Sequence, residues 1–537
     1  MKKNMAIFIA AVMLAAFTAG CTRASATPAP TPAPTAAATA TTAPAVSTTA
    51  PAAGSEGLST DRLELVWMTQ EFVNAPTRND SLANKFFEER FNLAITYDVV
   101  NASDYGTKLN LVMASNDLPD LIYGGPSNMG RYYDVGVLTE LNPYLEEYAP
   151  DFLNEIKKDP TLFRNMKDDK GRFFCFATIM WDYEHVMMAI DTNLLDQLGI
   201  AMPAPGSVTT DDFYDAVMAM KTLDPKIIPI GAGQWAGGGA LPHPFYYAFG
   251  TWPSWFPFSS EEYLYGPYER SEELRDALRY LNDLYTNKAI DQEYLSVDQD
   301  AYMAKFVNGE IGVVYGWMGG DHMWPRNDDG TWPEHNWKVL ASLKGPAGHQ
   351  MSDTTDLMNV AVYIPVSNKD VARTVSFLNW RYTQEGKDFL VYGIEGVTYN
   401  RAADGKVTYT QQVEEHEFGV MNGLRYEGFW PVFMPYVNVP EAYAIFAPPE
   451  VMVGIEVNKP FARPSWPVLT PNEEEIDINA QIGADIGRYV DESLPQFVVG
   501  QLNLDSDFDA FVSQLERMRV NEYMDNVRGQ YDRWKSR

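Results

Sequence analysis

The spacing of apolar and polar residues after position 60 alternates between strand-like and helix-like patterns. Residues 63–67 and 93–100 alternate apolar and polar side chains with the period of a strand. Residues 80–91 and 105–114 repeat apolar side chains at helical spacing, and residues 120–123 form a short further strand. Strand, helix, strand, helix, strand is typical of an α/β fold with a mostly parallel sheet that is covered by helices.

The ends of these strands give the first candidate site. In open α/β sheets, ligands bind beyond the carboxyl ends of the strands. This rule places Trp67 and the loop at residues 124–128 beside the predicted pocket.

The first twenty residues are typical of a secretory signal peptide. Lys2 and Lys3 precede an apolar run over residues 5–17, which is too short to span a bilayer. Small residues then precede Cys21 and resemble a bacterial lipobox, although Thr18 stands where Leu, Val or Ile is usual. We therefore predict a signal peptide over residues 1–20 and acylation, including palmitate, at Cys21. The alternative is an ordinary secretory signal that is cleaved after Ala26.

Residues 21–60 consist almost entirely of Ala, Thr, Pro and Ser after the cysteine. Such a segment has too few large apolar side chains to form a core, so it remains extended. At about 3.1 Å per residue it reaches up to roughly 100 Å. We interpret it as a tether that holds a folded domain on the outer face of the cell membrane.

The length and net charge of the chain argue against several further classes of function. The chain has 537 residues, which is too long for one compact core, and its formal net charge is −31. So acidic a chain repels phosphate backbones and anionic headgroups, which argues against nucleic-acid binding. Two cysteines cannot build a disulfide framework, and six scattered histidines without metal-ligand spacing argue against zinc. We predict no metal and no cofactor.

Motifs in a fixed order across residues 60–537 resemble the family 1 extracellular solute-binding proteins, the substrate receptors of carbohydrate ABC importers. The subgroup that they resemble most is the large one that includes the alginate-oligosaccharide-binding lipoproteins. The motifs are MASNDLPDLI at 113–122, YYDVGVLTEL at 132–141, DDKGRF at 168–173, LLDQLGIAMP at 194–203, 213–225 with its Asp-Pro, LNDLYTNKAID at 281–291, NGEIGV at 308–313, YGIEGVTY at 392–399, FVVG at 497–500 and YDR at 531–533.

The resemblance implies a type II, two-lobed α/β fold of the periplasmic-binding-protein kind, whose lobes are discontinuous in sequence and joined by a hinge. We assign residues 61–180 and 355–425 to the first lobe. Residues 181–354 and 426–537, with C-terminal helices, form the second. Large members of the family often carry a calcium loop after the Asp-Pro. Here Asp224 and Pro225 run directly into Lys226, so we predict no calcium site of that type.

The resemblance also suggests residues that contact the ligand. Sugar sites combine aromatic platforms with a few polar groups in a concave cleft. Trp317 matches the tryptophan that a strand delivers to the cleft in maltose-type receptors, with a core tryptophan as the alternative. Tyr123, Ser127 and Asn128 match a loop that hydrogen-bonds sugar hydroxyls. Glu395 lies in a turn that faces the cleft in relatives, and a surface glutamate is its alternative.

Five further tryptophans are candidates for stacking on a ligand. Trp235, Trp252 and Trp255 lie in a Gly/Pro-rich stretch without helical or strand periodicity, and aromatic residues on irregular loops often mark binding surfaces. Trp181 and Trp430 are likewise candidates for stacking on a ligand. The alternative is that these rings pack loops onto the protein.

These observations favour a receptor that is not an enzyme. It would capture a neutral oligosaccharide between its lobes, act as a monomer, and deliver the ligand to the transmembrane subunits of an ABC permease. A secreted glycoside hydrolase or lyase is the first alternative, since 72 acidic residues leave room for a catalytic pair. The same receptor fold with a peptide or another small solute is the second.

Overall fold

The computed structural model describes residues 58–71, 77–115, 117–125, 129–181, 186–232, 243–317, 336–353, 358–430, 434–438 and 447–537. The predicted signal peptide, Cys21 and the tether lie outside these ranges. Ser127, Asn128 and Trp235 also lie outside them.

The strands are β1 (Leu63–Gln70), β2 (Leu93–Val100), β3 (Leu121–Gly124), β4 (Cys175–Ile179), β5 (Val186–Asp191), β6 (Ile228–Ile230), β7 (Trp255–Pro257), β8 (Tyr263–Tyr265), β9 (Ile311–Trp317), β10 (Trp337–Leu340), β11 (Met358–Tyr363), β12 (Tyr399–Arg401) and β13 (Val407–Tyr409). The first helices are α1 (Leu82–Phe91), α2 (Ala102–Ala114), α3 (Asn142–Tyr148), α4 (Pro150–Ile156), α5 (Pro160–Asn165), α6 (Thr192–Leu198), α7 (Thr210–Met220), α8 (His243–Ala248), α9 (Gly266–Glu269) and α10 (Ser271–Thr286). The later helices are α11 (Gln299–Val307), α12 (Val371–Trp380), α13 (Gln384–Tyr392), α14 (Gln411–Glu414), α15 (Gly419–Tyr426), α16 (Pro449–Asn458), α17 (Glu473–Ile478), α18 (Ala484–Val498), α19 (Phe508–Arg517) and α20 (Val520–Ser536).

One mixed sheet has five strands in the order β2-β1-β3-β11-β4. β1 runs parallel to β2 and β3, whereas β11 runs antiparallel to β3 and β4. Buried and exposed residues alternate from Leu63 to Trp67, as the sequence pattern predicts. The predicted order of strand, helix, strand, helix, strand is confirmed by β1, α1, β2, α2 and β3.

An aromatic cluster attaches α1 to α12 and α13 beneath this sheet. The ring centroids of Phe87 and Phe377 lie 5.1 Å apart, and those of Phe91 and Trp380 lie 5.0 Å apart. Trp380 is completely buried in this core. Cys175 is also buried, and burial raises the pKa of its thiol to about 12.

The second mixed sheet has the order β10-β5-β9-β6. β5 is antiparallel to both β10 and β9, while β6 is parallel to β9. Met187 and Ala189 point to one core cluster, and Met188 and Ile190 point to another, so both faces of this sheet are covered. On the first of these faces, Gly454 of α16 lets the helix approach β10 closely, since a Cβ there would lie 2.6 Å from Val339.

All strands of the five-stranded sheet come from residues 61–180 and 355–425, and all strands of the four-stranded sheet come from residues 181–354. The tail after residue 425 contacts both sheets. Asn438 donates its backbone N–H to Ile179 of β4, at 2.8 Å, whereas α16 packs on β10. Residues 434–438 therefore contact the first sheet, although the sequence analysis assigns 426–537 to the second lobe. The exact lobe boundaries stay a prediction.

Candidate functional site

A stacked pair of aromatic rings lies in the Gly/Pro-rich stretch that the sequence analysis selects. The rings of Trp252 and Tyr247 are nearly parallel, at an interplanar angle of 13° and a centroid distance of 4.7 Å. Tyr246 contacts Trp252 edge-on, at 6.2 Å. Tyr247 is buried in α8, whereas Trp252 is only partly buried. The pair thus presents a partly exposed indole on a fixed aromatic base.

The phenol of Tyr247 connects this stack to a carboxylate. Tyr247 donates a hydrogen bond to one oxygen of Asp353, at 2.8 Å, and Tyr315 of β9 donates to the other, at 3.1 Å. Burial, and then the negative charge of Asp353, raise the pKa of Tyr247 well above its ordinary value. Tyr247 therefore remains a protonated donor at any physiological pH.

Arg463 balances the charge of this carboxylate. Its Nε lies 3.2 Å from Asp353 Oδ1 and 3.2 Å from the hydroxyl of Tyr247. The side chains of Arg463 and Asp353 are 5% and 15% exposed, so the ion pair is largely removed from water. The guanidinium also lies 4.8 Å from the ring centroid of Trp466. We call Tyr247, Trp252, Tyr315, Asp353 and Arg463 the Asp353 cluster.

The Asp353 cluster lies where two chain segments run between the sheets. Ser352 donates to the carbonyl of Phe461, at 2.8 Å, and Arg463 donates back to the carbonyl of Ser352, at 3.1 Å. After Asp353 the chain continues to β11 of the five-stranded sheet. After Arg463 it reaches Val468, whose N–H donates to Asn165 at the end of α5, at 3.0 Å. The ion pair therefore joins two connections between the sheets.

Three of the predicted site residues are buried in cores. Trp67 is 0% exposed and Trp430 is 2% exposed, and both belong to the core that includes the five-stranded sheet. Trp255 is 6% exposed and stacks on Tyr263 at 5.2 Å. All three indoles pack in the two hydrophobic cores. The strand and loop positions that carry them face inward, and the role of these three residues in ligand binding stays a prediction.

Three other predicted residues keep some exposure. Tyr123 of β3 is partly buried, its carbonyl accepts a hydrogen bond from Tyr105 at 2.6 Å, and burial raises the pKa of Tyr123. Trp181 is partly buried and donates its indole N–H to Glu155, at 2.7 Å. Glu395 is exposed in the turn after α13. None of the three is in the Asp353 cluster, and their role in binding stays a prediction.

Of the predicted site residues that the structure describes, only Trp252 belongs to the Asp353 cluster. Trp317 ends β9, two residues after Tyr315, and pairs with Val186 across the sheet. Sequence reasoning missed Tyr247, Tyr315, Asp353 and Arg463. The adjacent tyrosines at 246 and 247, close to Trp252 in a stretch already selected, were the available signal.

The described part of the chain offers neither a metal site nor a membrane span. It contains no group of three or more His, Cys, Asp or Glu side chains placed to hold a metal ion. None of its helices is long and apolar enough to cross a membrane.

Comparisons with known proteins agree with this fold. Among curated proteins, Lipoprotein LipO of Bacillus subtilis is 23% identical over 450 residues, which are 80% of this chain and 84% of LipO. The fructooligosaccharide ABC transporter substrate-binding protein FusA of Streptococcus pneumoniae is 21% identical over 485 residues, which are 81% of this chain and 84% of FusA. Among solved structures, the alginate-binding protein AlgQ2 without calcium ion has a TM-score of 0.70 at 20% identity, covering 88% of this chain and 99% of AlgQ2.

The most direct evidence of family membership comes from the sequence itself. Residues 70–388 match the family described as bacterial extracellular solute-binding protein. This match spans more than half of the chain and includes the four-stranded sheet and every strand of the five-stranded sheet except β1. The chain therefore belongs to the family of bacterial extracellular solute-binding proteins.

Proposed function

We propose that this protein is the substrate-binding lipoprotein of a sugar ABC importer. It captures an oligosaccharide between two lobes and delivers it to a membrane permease. The observation that carries the proposal is the Asp353 cluster, in which a partly exposed indole lies beside a hydrogen-bonded carboxylate and guanidinium. Sugars present apolar C–H faces and hydroxyl edges, and this combination of groups is complementary to both.

The charge of the Asp353 cluster favours a neutral ligand. Arg463 balances the carboxylate of Asp353, and the phenols of Tyr247 and Tyr315 are already donating to that carboxylate. A sugar hydroxyl can donate to a carboxylate oxygen and accept from a guanidinium, whereas a uronic acid would need an unbalanced cation. The net charge of −31 also disfavours the approach of a polyanion.

The names of similar proteins support a saccharide ligand and leave its charge open. FusA is named for fructooligosaccharides, AlgQ2 for alginate, and a third relative, YtcQ of Bacillus subtilis, for polygalacturonan and rhamnogalacturonan. We place the lobes at residues 61–180 with 355–425 and at 181–354 with 426–537. We also propose that the protein acts as a monomer and is anchored through Cys21.

A thermal-shift screen of residues 57–537 tests the proposal. The panel contains neutral fructo- and gluco-oligosaccharides, oligouronates, and peptides as the alternative ligands. A ligand that binds only the folded protein, at 100 times its Kd, stabilises it by about 2.7 kcal/mol. We expect one neutral saccharide class to raise Tm without any change in the saccharide by chromatography. A shift with peptides alone would overturn the ligand class, and released products would indicate a hydrolase or lyase instead.

A further inference from the structure

Arg381 is a completely buried cation in the core that includes the five-stranded sheet. It follows α12, and its side chain is 0% exposed. Its guanidinium carbon lies 5.5 Å from the ring centroid of Trp67, 5.6 Å from that of Phe87 and 5.6 Å from that of Phe377. Three aromatic faces therefore stabilise the positive charge, but none of them neutralises it.

No carboxylate balances Arg381 within the described part of the chain. The ionisable groups that act on it are Tyr97 and Tyr382. Burial raises the pKa of Tyr97 to about 12 and that of Tyr382 well above its ordinary value, so both phenols are neutral. Burial also lowers the pKa of Arg381 to about 10, which still leaves the guanidinium protonated at physiological pH. Among the described residues of this core, one positive charge is therefore left without a compensating negative charge.

Several buried donors in this region have no acceptor among the described residues. Nε and both terminal nitrogens of Arg381 make no hydrogen bond there. The same holds for the indole Nε1 of Trp67 and the hydroxyl of Thr69, which share one face of β1 and are both 0% exposed. Buried donors are rarely left without a partner in folded proteins, so these groups together indicate an acceptor that the described residues do not supply.

A second buried arginine, on the helix that precedes Arg381, shows how this chain satisfies such a group with its own atoms. Arg373 of α12 is 8% exposed. It donates to the carbonyls of Phe91 and Asn92, at 2.8 and 3.3 Å, and to the carbonyl of Asp61. Arg381 has no equivalent set of carbonyls among the described residues.

We propose that Arg381, with the indole N–H of Trp67 and the hydroxyl of Thr69, binds a small monovalent anion of the halide class inside the first lobe. The anion accepts hydrogen bonds from these donors and neutralises the guanidinium. A halide fits better than phosphate or a sugar acid, since it loses less hydration when it enters a site walled by aromatic rings. The site lies in the core, is separate from the Asp353 cluster, and does not depend on the proposed transport function.

Bromide provides a direct test in the intact mature protein. Crystals of residues 57–537 are grown in sodium bromide, and anomalous differences locate the ion. We expect an anomalous peak within hydrogen-bonding distance of the Arg381 guanidinium. Peaks at surface lysines alone, with none at Arg381, would identify an adventitious ion only and would overturn the proposal.

A measurement in solution distinguishes chloride binding at this site from general effects of salt on stability. Tm is recorded in sodium chloride and in sodium gluconate at equal ionic strength. We expect the wild type to gain roughly 1–2 °C for each tenfold increase in chloride and Arg381→Met to gain nothing. Arg373→Met, the matched loss of a buried arginine, should lower Tm but keep the chloride dependence. Equal chloride dependence of Tm in the wild type and in Arg381→Met would refute the anion site. If Arg381→Met does not fold, the bromide experiment tests the site instead.

Discussion

In the proposed site, Asp353 and Arg463 form an ion pair in which each charge compensates the other. Each is largely buried, and each lies at the start of a connection between the sheets. Removing one partner of such a pair leaves the other charge without compensation in a poorly hydrated position. The pair therefore fixes the geometry of Tyr247, and through Tyr247 the position of the Trp252 indole.

We expect Asp353→Asn to lower the free energy of unfolding by about 3 kcal/mol, the usual result of breaking a buried ion pair. Urea denaturation of residues 57–537 measures the change. The double variant Asp353→Asn with Arg463→Met should recover part of the loss, because it removes the uncompensated charge as well. A loss below about 0.5 kcal/mol for the single variant would mean that water solvates Arg463 adequately.

At the scale of elements, Glu155 of α4 ties three segments together. It accepts hydrogen bonds from Lys158 at 2.9 Å, from Trp181 at 2.7 Å and from Lys387 of α13 at 2.6 Å. Burial by itself would raise the pKa of Glu155, but these three donors outweigh it and hold the pKa below its ordinary value of 4.5. The unfolded chain therefore binds this proton at a higher pH than the folded chain does.

The sign of this shift gives a pH prediction. The stabilisation from Glu155 is fully present above its unfolded pKa and is lost as pH falls through the lower folded pKa. We expect Glu155→Gln to reduce the slope of unfolding free energy against pH between about pH 5 and 3. Glu146→Gln, which alters an exposed carboxylate of α3, serves as the control and should leave the slope unchanged. A wild-type slope in Glu155→Gln would show that the three donors do not lower this pKa.

The junction between α12 and α13 gives a second prediction at this scale. A Cβ on Gly386 would lie 2.0 Å from the carbonyl oxygen of Trp380, so Gly386→Ala must displace the backbone of one helix. We expect it to destabilise the protein by at least about 1 kcal/mol. A Cβ on Gly106 of α2 would meet no neighbouring atom within 4 Å, so Gly106→Ala should instead stabilise by about 0.5–1 kcal/mol through helix propensity. Chemical denaturation compares the two, and equal effects would contradict this packing.

Local patterns predicted the elements better than they predicted the site. Alternation along residues 63–67 and helical spacing along residues 80–91 depend only on near neighbours, and both elements formed as expected. The same alternation places Trp67 with Leu63 and Leu65 on the buried face of β1. Asp353 and Arg463 are brought together by the backbone bonds of Ser352, which no local pattern reports.

For the whole molecule, the attachment to the membrane is the feature most open to a simple test. We expect Cys21→Ala to abolish labelling with palmitate and to move the protein from the membrane fraction to the medium, since an acylated cysteine needs its thiol. The wild type provides the control. Under the alternative signal cleaved after Ala26, the mature protein would begin at Thr27, and Cys21→Ala would change neither its mass nor its location.

The central claim is that Trp252 and its ion-paired surroundings bind a neutral oligosaccharide without cleaving it. Isothermal titration of residues 57–537 with the saccharide found in the thermal screen tests this claim most directly. We predict that Trp252→Ala weakens binding roughly 10–100-fold, as loss of a central aromatic contact does, and that the saccharide is recovered intact. Phe418→Ala, which removes a ring that is 45% exposed elsewhere, should keep wild-type affinity. Wild-type affinity in Trp252→Ala, or cleavage of the saccharide, would contradict the proposed site or the proposed function.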